Sequence, residues 1–381
     1  MATPMSIVRD AAATPSEQEL VSRFWRTASG FWTRRRGPMA WALSISLIAV
    51  VLAQLLVQYR LNFWNRDFFN ALAERNGAGL WTQALLFVPL AACNVTLAIV
   101  SVWGRMTMQR GWRAWLTRHL ITYWLADDRY RRVNLVVGNH QNPEYRIAED
   151  ARIATDAPID LALGLLAALL NGITFISVLW SVGGSLPITL LGHPLVVPGY
   201  LVIAVVGYAA VTTGAMLIIG RRLTHVVEGR NQAEAELIAA AARLRARGEG
   251  DAISDIGHDR VALDGALKQA LSRWRELCRQ LMRTTLVSQG NLLLAPVVAW
   301  ILCAPKYLAG TMELGELTQA AAAFVLVQAA FNWFLDNYQR LADWASAAHR
   351  VAALLLALDQ LDGNAAPEPG TEAEPGSDPG I

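Results

Sequence analysis

Apolar positions in this chain come in long blocks, separated by polar stretches that keep helical spacing. Six blocks run for about 20 residues, the length that crosses a hydrocarbon core. They are Met39 to Gln58, Trp81 to Trp103, Leu161 to Val182, Val196 to Ile219, Leu286 to Leu302 and Leu317 to Leu335. Each predicts a membrane-spanning helix, so the expected fold class is an all-α integral membrane protein with six transmembrane helices. Gly183, Gly184 and Pro187 end the third block, and a short loop through His193 and Pro194 is expected to lead into the fourth. A second short loop, Pro305 to Gly315, joins the fifth to the sixth, whose helix opens at Glu313, Gly315 and Glu316.

The polar stretches extend these helices. Tyr59 to Asn76 holds no Gly or Pro and repeats its aromatics at helical spacing, so the first helix should continue beyond the bilayer as far as Gly77 and Gly79. Met106 to Val133 reads as a polar helix carrying Trp112, Trp115 and Trp124, followed by a loop from Asn134 to Gln141. The stretch from His225 to Arg283 reads as two helices with a break at Gly248–Gly250 and Gly257. Asp336 to Leu361 continues the last span as a charged amphipathic helix, and a Pro/Gly/Glu-rich acidic tail predicted to be disordered follows from Asn364.

At the other end, residues 1–22 read as flexible. Phe24, Trp25, Phe31 and Trp32 then alternate with Arg23, Arg26 and Arg34–Arg36, the pattern of an amphipathic helix lying in the membrane interface. No apolar core precedes the first span, which should act as its own insertion signal. The expected division is therefore an N-terminal tail and interfacial helix (1–37), a six-span domain (38–361) and a tail (362–381).

Composition agrees with this pattern. Hydrophobic residues make up 54% and charged residues 17%, against about 45–50% and 25% in soluble domains. The formal net charge of +2 and the lack of a basic-aromatic cluster give no sign of nucleic-acid binding. Arginines concentrate in the N-terminus, in 104–157, in 221–283 and toward the C-terminus. The 183–195 loop has no Lys or Arg, and 303–316 has only Lys306. The first outer loop carries Arg60, Arg66 and Arg75 beside Asp67 and Glu74. The positive-inside rule then places both termini in the cytoplasm of a bacterial inner-membrane protein. Cys93, Cys278 and Cys303 are not spaced as a metal or redox pair and are expected to pack as small apolar groups. The 6 histidines are scattered and form no triad pattern with Ser and Asp.

Polar residues inside the spans mark a candidate solute pathway: Gln54 and Gln58 on the first, and Gln319, Gln328 and Asn332 on the sixth. A single six-span bundle would leave the polar sides of spans one, five and six facing lipid. A second copy would bury them and create a central cavity, which predicts a homodimer of twelve spans.

The most charged run near mid-chain, Asn142 to Asp160, precedes the third span. Asn142 is a good N-cap and Pro143 a good first helical residue. Arg146, Glu149 and Asp150 are three and four apart, so one face carries both signs of charge. A solvated juxtamembrane helix is the plain reading of that spacing, and a coupling segment the functional one.

Three stretches favour the functional reading. They are Leu61 to Leu72 (LNFWNRDFFNAL), Trp112 to Arg131 with Asn142 to Asp150 (NPEYRIAED), and Phe331 to Arg350. In order and spacing the chain resembles the permease half of bacterial ABC transporters related to the SbmA/BacA peptide transporters. Glu144 and Tyr145 stand where that family commonly has Asp and Gln, and 228–260 is Ala-rich with a Gly break.

The resemblance implies an ABC-exporter-type membrane domain whose cytoplasmic extensions touch a nucleotide-binding domain. It also implies transport of peptides or other bulky hydrophilic solutes such as cobalamin or bleomycin. An ATPase needs Gly-x-x-x-x-Gly-Lys-Ser/Thr to cradle phosphates, yet the only lysines here are Lys268 and Lys306, and neither follows Gly or precedes Ser or Thr. The chain is therefore expected to be no enzyme, with ATP acting only through a separate ATPase docked on Asn142–Asp156 and on the bend at 240–260.

Two alternatives accompany this expectation. One is proton-driven uptake of the SbmA/BacA kind through Asp67, Glu74, Glu149, Asp150, Glu313, Glu316 or Asp336, all of which lie at or beyond span ends. The other is a permease remnant with a structural role only.

Overall fold

The computed structural model describes residues 16–33, 37–132, 142–190, 193–248 and 256–363. Seven helices carry it: α1 Glu17–Ala28, α2 Gly37–Ala73, α3 Gly77–Leu125, α4 Pro143–Gly183, α5 Tyr200–Gly248, α6 Ile256–Leu308 and α7 Leu314–Gly363. Six of them, α2 to α7, are long and apolar enough to cross a membrane. The chain is an all-α integral membrane protein, because a bilayer leaves a spanning backbone no partner but itself. Most of the expected flexible N-terminal stretch, Arg34–Arg36, the loop expected at Asn134–Gln141, residues 249–255 of the expected Gly break and the acidic stretch from Asn364 lie outside the described residues.

Three boundaries differ from those the sequence pattern suggests. α2 stops at Ala73, earlier than Gly77, because Arg75 turns the chain at φ 56° and Asn76 then caps the next helix, its Oδ1 accepting from Gly79 N at 2.9 Å. The polar helix expected to Val133 breaks after Leu125 into a 3₁₀ turn, Ala126–Asp128, where Asp127 and Asp128 take positive φ. Asp tolerates that conformation better than most residues.

The loop expected at 183–195 is an antiparallel hairpin, β1 Ser185–Leu190 with β2 His193–Pro198, in the register Ser185↔Pro198 to Leu190↔His193. A two-stranded hairpin has an open edge on each strand, so Pro187, Pro194 and Pro198 fit where a central strand would refuse them. The fourth spanning helix therefore starts at Tyr200, not Val196. Cysteine packing also differs: Cys303 is buried, whereas Cys93 and Cys278 are exposed.

The chain forms two compact units. The first comprises the described parts of Met1–Leu52, Leu97–Gly164 and Asn337–Ile381. α1 opens there with a capping box, in which Ser16 Oγ accepts from Glu19 N and Ser16 N donates to Glu19 Oε2. α3 buries Ser101, Gly104, Met108, Trp112, Leu116 and Leu120, a stripe at intervals of three and four residues. That stripe packs with Phe24, Phe31, Leu47, Ile147, Val351 and Leu355 in one core. Trp112 lies edge-on to Trp32 at 5.0 Å between ring centroids.

The second unit comprises Ala53–Thr96 and Leu165–Asp336. Its core joins Phe175, Leu179, Leu201, Ala299, Phe324 and Val327, and α5 packs along α6. α7 starts here with a two-part cap: Glu316 Oε2 accepts from Glu313 N at 3.1 Å, and Asn70 Oδ1, from α2, accepts from Gly315 N at 2.7 Å. Gly199 closes the hairpin at φ 60°, its N–H donating to Gly184 O at 2.8 Å, and a Cβ there would run into the Trp180 ring. Gly199→Ala should therefore lower stability by about 1–3 kcal/mol, from left-handed strain and displacement of Trp180. Thermal unfolding of the purified protein measures this, and Gly265→Ala, inside α6 with open space at its Cβ position, should shift stability the opposite way, up by about 0.5–1 kcal/mol.

Candidate functional site

The Asn142–Asp150 segment belongs to the first unit. Pro143 takes the first helical position and is buried, as the sequence suggests. Asn142 does not cap through its side chain. It sits at φ 58°, ψ 62°, and its carbonyl oxygen instead accepts from Tyr145 N at 3.1 Å and Arg146 N at 3.3 Å. Arg146–Asp150 forms one π-helical turn before α4 resumes.

This segment is not a solvated helix. Asp150 has 0% exposure and Arg146 4%. A buried carboxylate needs a counter-charge, and it comes from 200 residues away: Arg350 Nε and Nη2 donate to Asp150 Oδ2 and Oδ1 at 2.9 and 2.7 Å, a two-pronged fork. Arg146 Nη1 donates to the Arg350 backbone oxygen at 3.0 Å. Burial lowers the pKa of Arg146, while the Asp150 hydrogen bonds raise that of Arg350. Glu149 faces outward to Arg152, at 2.6 and 3.0 Å, and that hydrogen-bonded guanidinium holds its carboxyl below the usual range.

Two further ties hold the end of α7 in the same unit. Arg340 and Arg105 both reach Asp160, at 2.9 and 3.4 Å. Arg23 forks onto Asp359 at 2.7 and 2.9 Å, and Tyr123 Oη donates to the same carboxylate. Sequence reasoning did not single out Arg340, Arg350 or Asp359. The available signal was the Phe331–Arg350 stretch, which holds both arginines.

In the second unit, Gln54, Gln58 and Asn332 are half-buried, while Gln319 and Gln328 have 0% and 2% exposure. The premise that one bundle leaves the polar side of span six on lipid therefore fails for Gln319 and Gln328, because this chain alone already encloses them. Gln328 Nε2 donates to Thr212 Oγ1 at 2.7 Å and reaches Asn332 Oδ1 and Asn291 Oδ1 at 3.3 and 3.4 Å. These groups line a cavity of about 230 Å³ together with Ser288, Gln289 and Asp336. Gln319 lies elsewhere, beside Asn62, whose Nδ2 donates to the Gln319 backbone oxygen at 3.2 Å. Both ends of the Gln319 amide lack a hydrogen-bond partner among the described residues. The sequence reading missed Thr212 and Asn291, although Asn291 is an amide within the fifth apolar block.

The carboxylates considered for proton coupling lie in ion pairs, in a helix cap or at the surface. Asp67 pairs with Arg66 at 3.0 Å and Arg60 at 3.7 Å. Glu74 is exposed, Glu313 accepts from Asn70 at 2.5 Å, Glu316 serves the α7 cap, and Asp336 is exposed at the cavity rim.

Residues 35–308 match the family described as ABC transporter transmembrane region 2. The chain is 27% identical over 353 residues to an inner membrane ABC transporter ATP-binding protein, YddA, of Escherichia coli, covering 87% of this chain and 60% of that protein. It is 21% identical to ABC transporter D family member 2, chloroplastic, of Arabidopsis thaliana, covering 87% of this chain and 45% of that protein. Over 153 residues it is 27% identical to the lysosomal cobalamin transporter ABCD4 of Mus musculus, covering 39% of this chain and 25% of that protein.

The first of these relatives is named an ATP-binding protein, and the chain spans only three fifths of its length. This overturns the expectation of a non-enzyme. The missing phosphate loop describes only the part of such relatives that these residues span, so it does not argue against ATP hydrolysis.

The fork at Asp150 predicts an asymmetry between its two halves. Arg350→Ala strands a fully buried carboxylate and should cost about 3–5 kcal/mol. Asp150→Asn leaves an arginine with 41% of its side chain in solvent and should cost less, about 1–3 kcal/mol. Paired thermal or denaturant unfolding of the two variants checks the order.

Proposed function

Because the chain belongs to the ABC transporter transmembrane-region family, we propose that it is the membrane-spanning part of an ATP-driven transporter in which two such parts pair and rock between two access states. Membership of this family supports both the pairing and an ATP-binding domain that drives it. The transported solutes are bulky and hydrophilic, cobalamin or peptides. One relative is named a cobalamin transporter, and the amide-lined cavity offers polar contacts. The pathway includes Gln54, Gln58, Gln319, Gln328 and Asn332. The protein sits in a bacterial inner membrane with both termini in the cytoplasm, a reading supported by the arginine-rich flanks at 104–157 and 221–283.

The observation that carries the proposal is the Asp150–Arg350 fork. In this reading Asn142 and Glu149 present the segment to the ATP-binding domain, while the buried Pro143, Arg146 and Asp150 anchor it from beneath, with residues 240–260 as a second contact. Glu149 is half-buried and reaches the surface beside Arg152, while Asp150 is locked to α7. A push on the segment therefore moves α7, the helix whose earlier turns carry Gln319, Gln328 and Asn332.

The test is ATP-dependent movement of labelled cobalamin or a labelled peptide across proteoliposomes that hold the transporter with its ATP-binding domain. Wild-type protein should move one of these with ATP and without a proton gradient. Glu149→Ala removes only a partly solvated ion pair with Arg152 and should cut the rate at least tenfold while changing stability by no more than about 1 kcal/mol. Movement driven by a proton gradient alone, with ATP inert, overturns the ATP-driven reading. Full activity in both Glu149→Ala and Asp150→Ala removes the segment's coupling role.

A further inference from the structure

The cavity of the second unit has a hydrogen-bonding pattern that leaves one buried acceptor unmet. Thr212 Oγ1 donates its single proton to backbone oxygens, to Tyr208 O at 3.0 Å or Ala209 O at 3.1 Å. With that proton on the backbone, Thr212 Oγ1 accepts from the Gln328 amide nitrogen 2.7 Å away. That nitrogen shares its remaining proton between Asn332 Oδ1 and Asn291 Oδ1. Gln328 Oε1 is thereby left buried and without a partner among the described residues, on a side chain with 2% exposure that lines the cavity. A buried carbonyl oxygen with no donor is costly, and an N–H group entering the cavity would meet it.

The charge in the lining is one-sided. Gln328, Asn332 and Asp336 follow one another at intervals of four along one face of α7, and Asp336 is the single charged side chain among the described lining residues. Among the described lining residues there is no Lys, Arg or His to welcome an anion. Met216, Leu292 and Val325 add apolar wall for a hydrocarbon stem. At about 230 Å³ the space falls below the roughly 300–1,000 Å³ of pockets that enclose a whole small molecule, so it takes one side-chain-sized group.

We propose that this cavity is a recognition subsite for a single organic cation, a protonated amine or guanidinium carried by the transported solute. An N–H of the cation donates to Gln328 Oε1, and Asp336 supplies the opposite charge. The inference rests on the transporter reading and adds a charge preference to it: anionic groups are refused at this position.

Binding to the full chain in nanodiscs tests the subsite, with three probes that differ in one end group: N-acetyl-arginine methylamide, its neutral isostere N-acetyl-citrulline methylamide, and N-acetyl-glutamate methylamide. The arginine probe should bind at least tenfold more tightly than the citrulline probe, and the glutamate probe not at all. Asp336→Asn, an exposed change at the rim, should abolish the preference of arginine over citrulline. Gln328→Met should weaken both of those probes. If Gln328→Met fails to fold, Asp336→Asn alone decides. Equal binding of the three probes, no binding of any, or an unchanged preference in Asp336→Asn overturns the subsite. ATP-driven transport that persists beside any of those results leaves the transporter reading standing. Loss of ATP dependence beside a clear arginine preference has the reverse meaning.

Discussion

Within a hydrocarbon layer no water is present to answer an unpaired polar group, and this requirement governs the protein at two scales. For the backbone it leaves helices as the solution, and six helices long and apolar enough to cross the membrane result. For side chains it forces polar groups to find one another inside the protein. Thr212, Asn291, Gln328 and Asn332 do so around one amide nitrogen, and Asn62 does so against the Gln319 backbone. Where the matching is incomplete, as at Gln328 Oε1, the leftover atom lines a cavity.

The first unit meets the same requirement with full charges. Asp150, at 0% exposure, takes its counter-charge from the Arg350 fork, and Arg146 closes the arrangement by donating to the Arg350 backbone. Two further ion pairs on α7, Arg340–Asp160 and Arg23–Asp359, have more contact with water and contribute direction more than stability. Together they fasten the second half of α7 to α4 and α1. The π turn at Arg146–Asp150 belongs to this pattern, since such turns often occur where a side chain must be aimed away from regular helical register.

Family membership and local chemistry answer different questions here. The match over residues 35–308 establishes an ABC transporter transmembrane region, and relatives named as ATP-binding proteins correct the view that ATP chemistry is foreign to this protein. A motif's absence informs only about the residues in which it was sought. Cargo and drive depend on side chains that vary on a shared scaffold, so they are argued from Glu149, Asp150, Gln328 and Asp336 individually.

The sequence by itself determined the six spans, the helical extensions beyond them and the polar positions within them. Those features follow from block length, periodicity and the absence of Gly or Pro, which are properties of neighbours along the chain. Pro143 at a helix start was legible for the same local reason. Only the tertiary structure decided that Asp150 is buried and pairs with a residue 200 positions later, since no local spacing encodes that meeting. It likewise decided that Gln319 and Gln328 face inward within one chain, and that Thr212 and Asn291 join Gln328. The hairpin at 185–198 was hidden by its prolines, which a two-stranded edge accepts and a sequence pattern reads as loop.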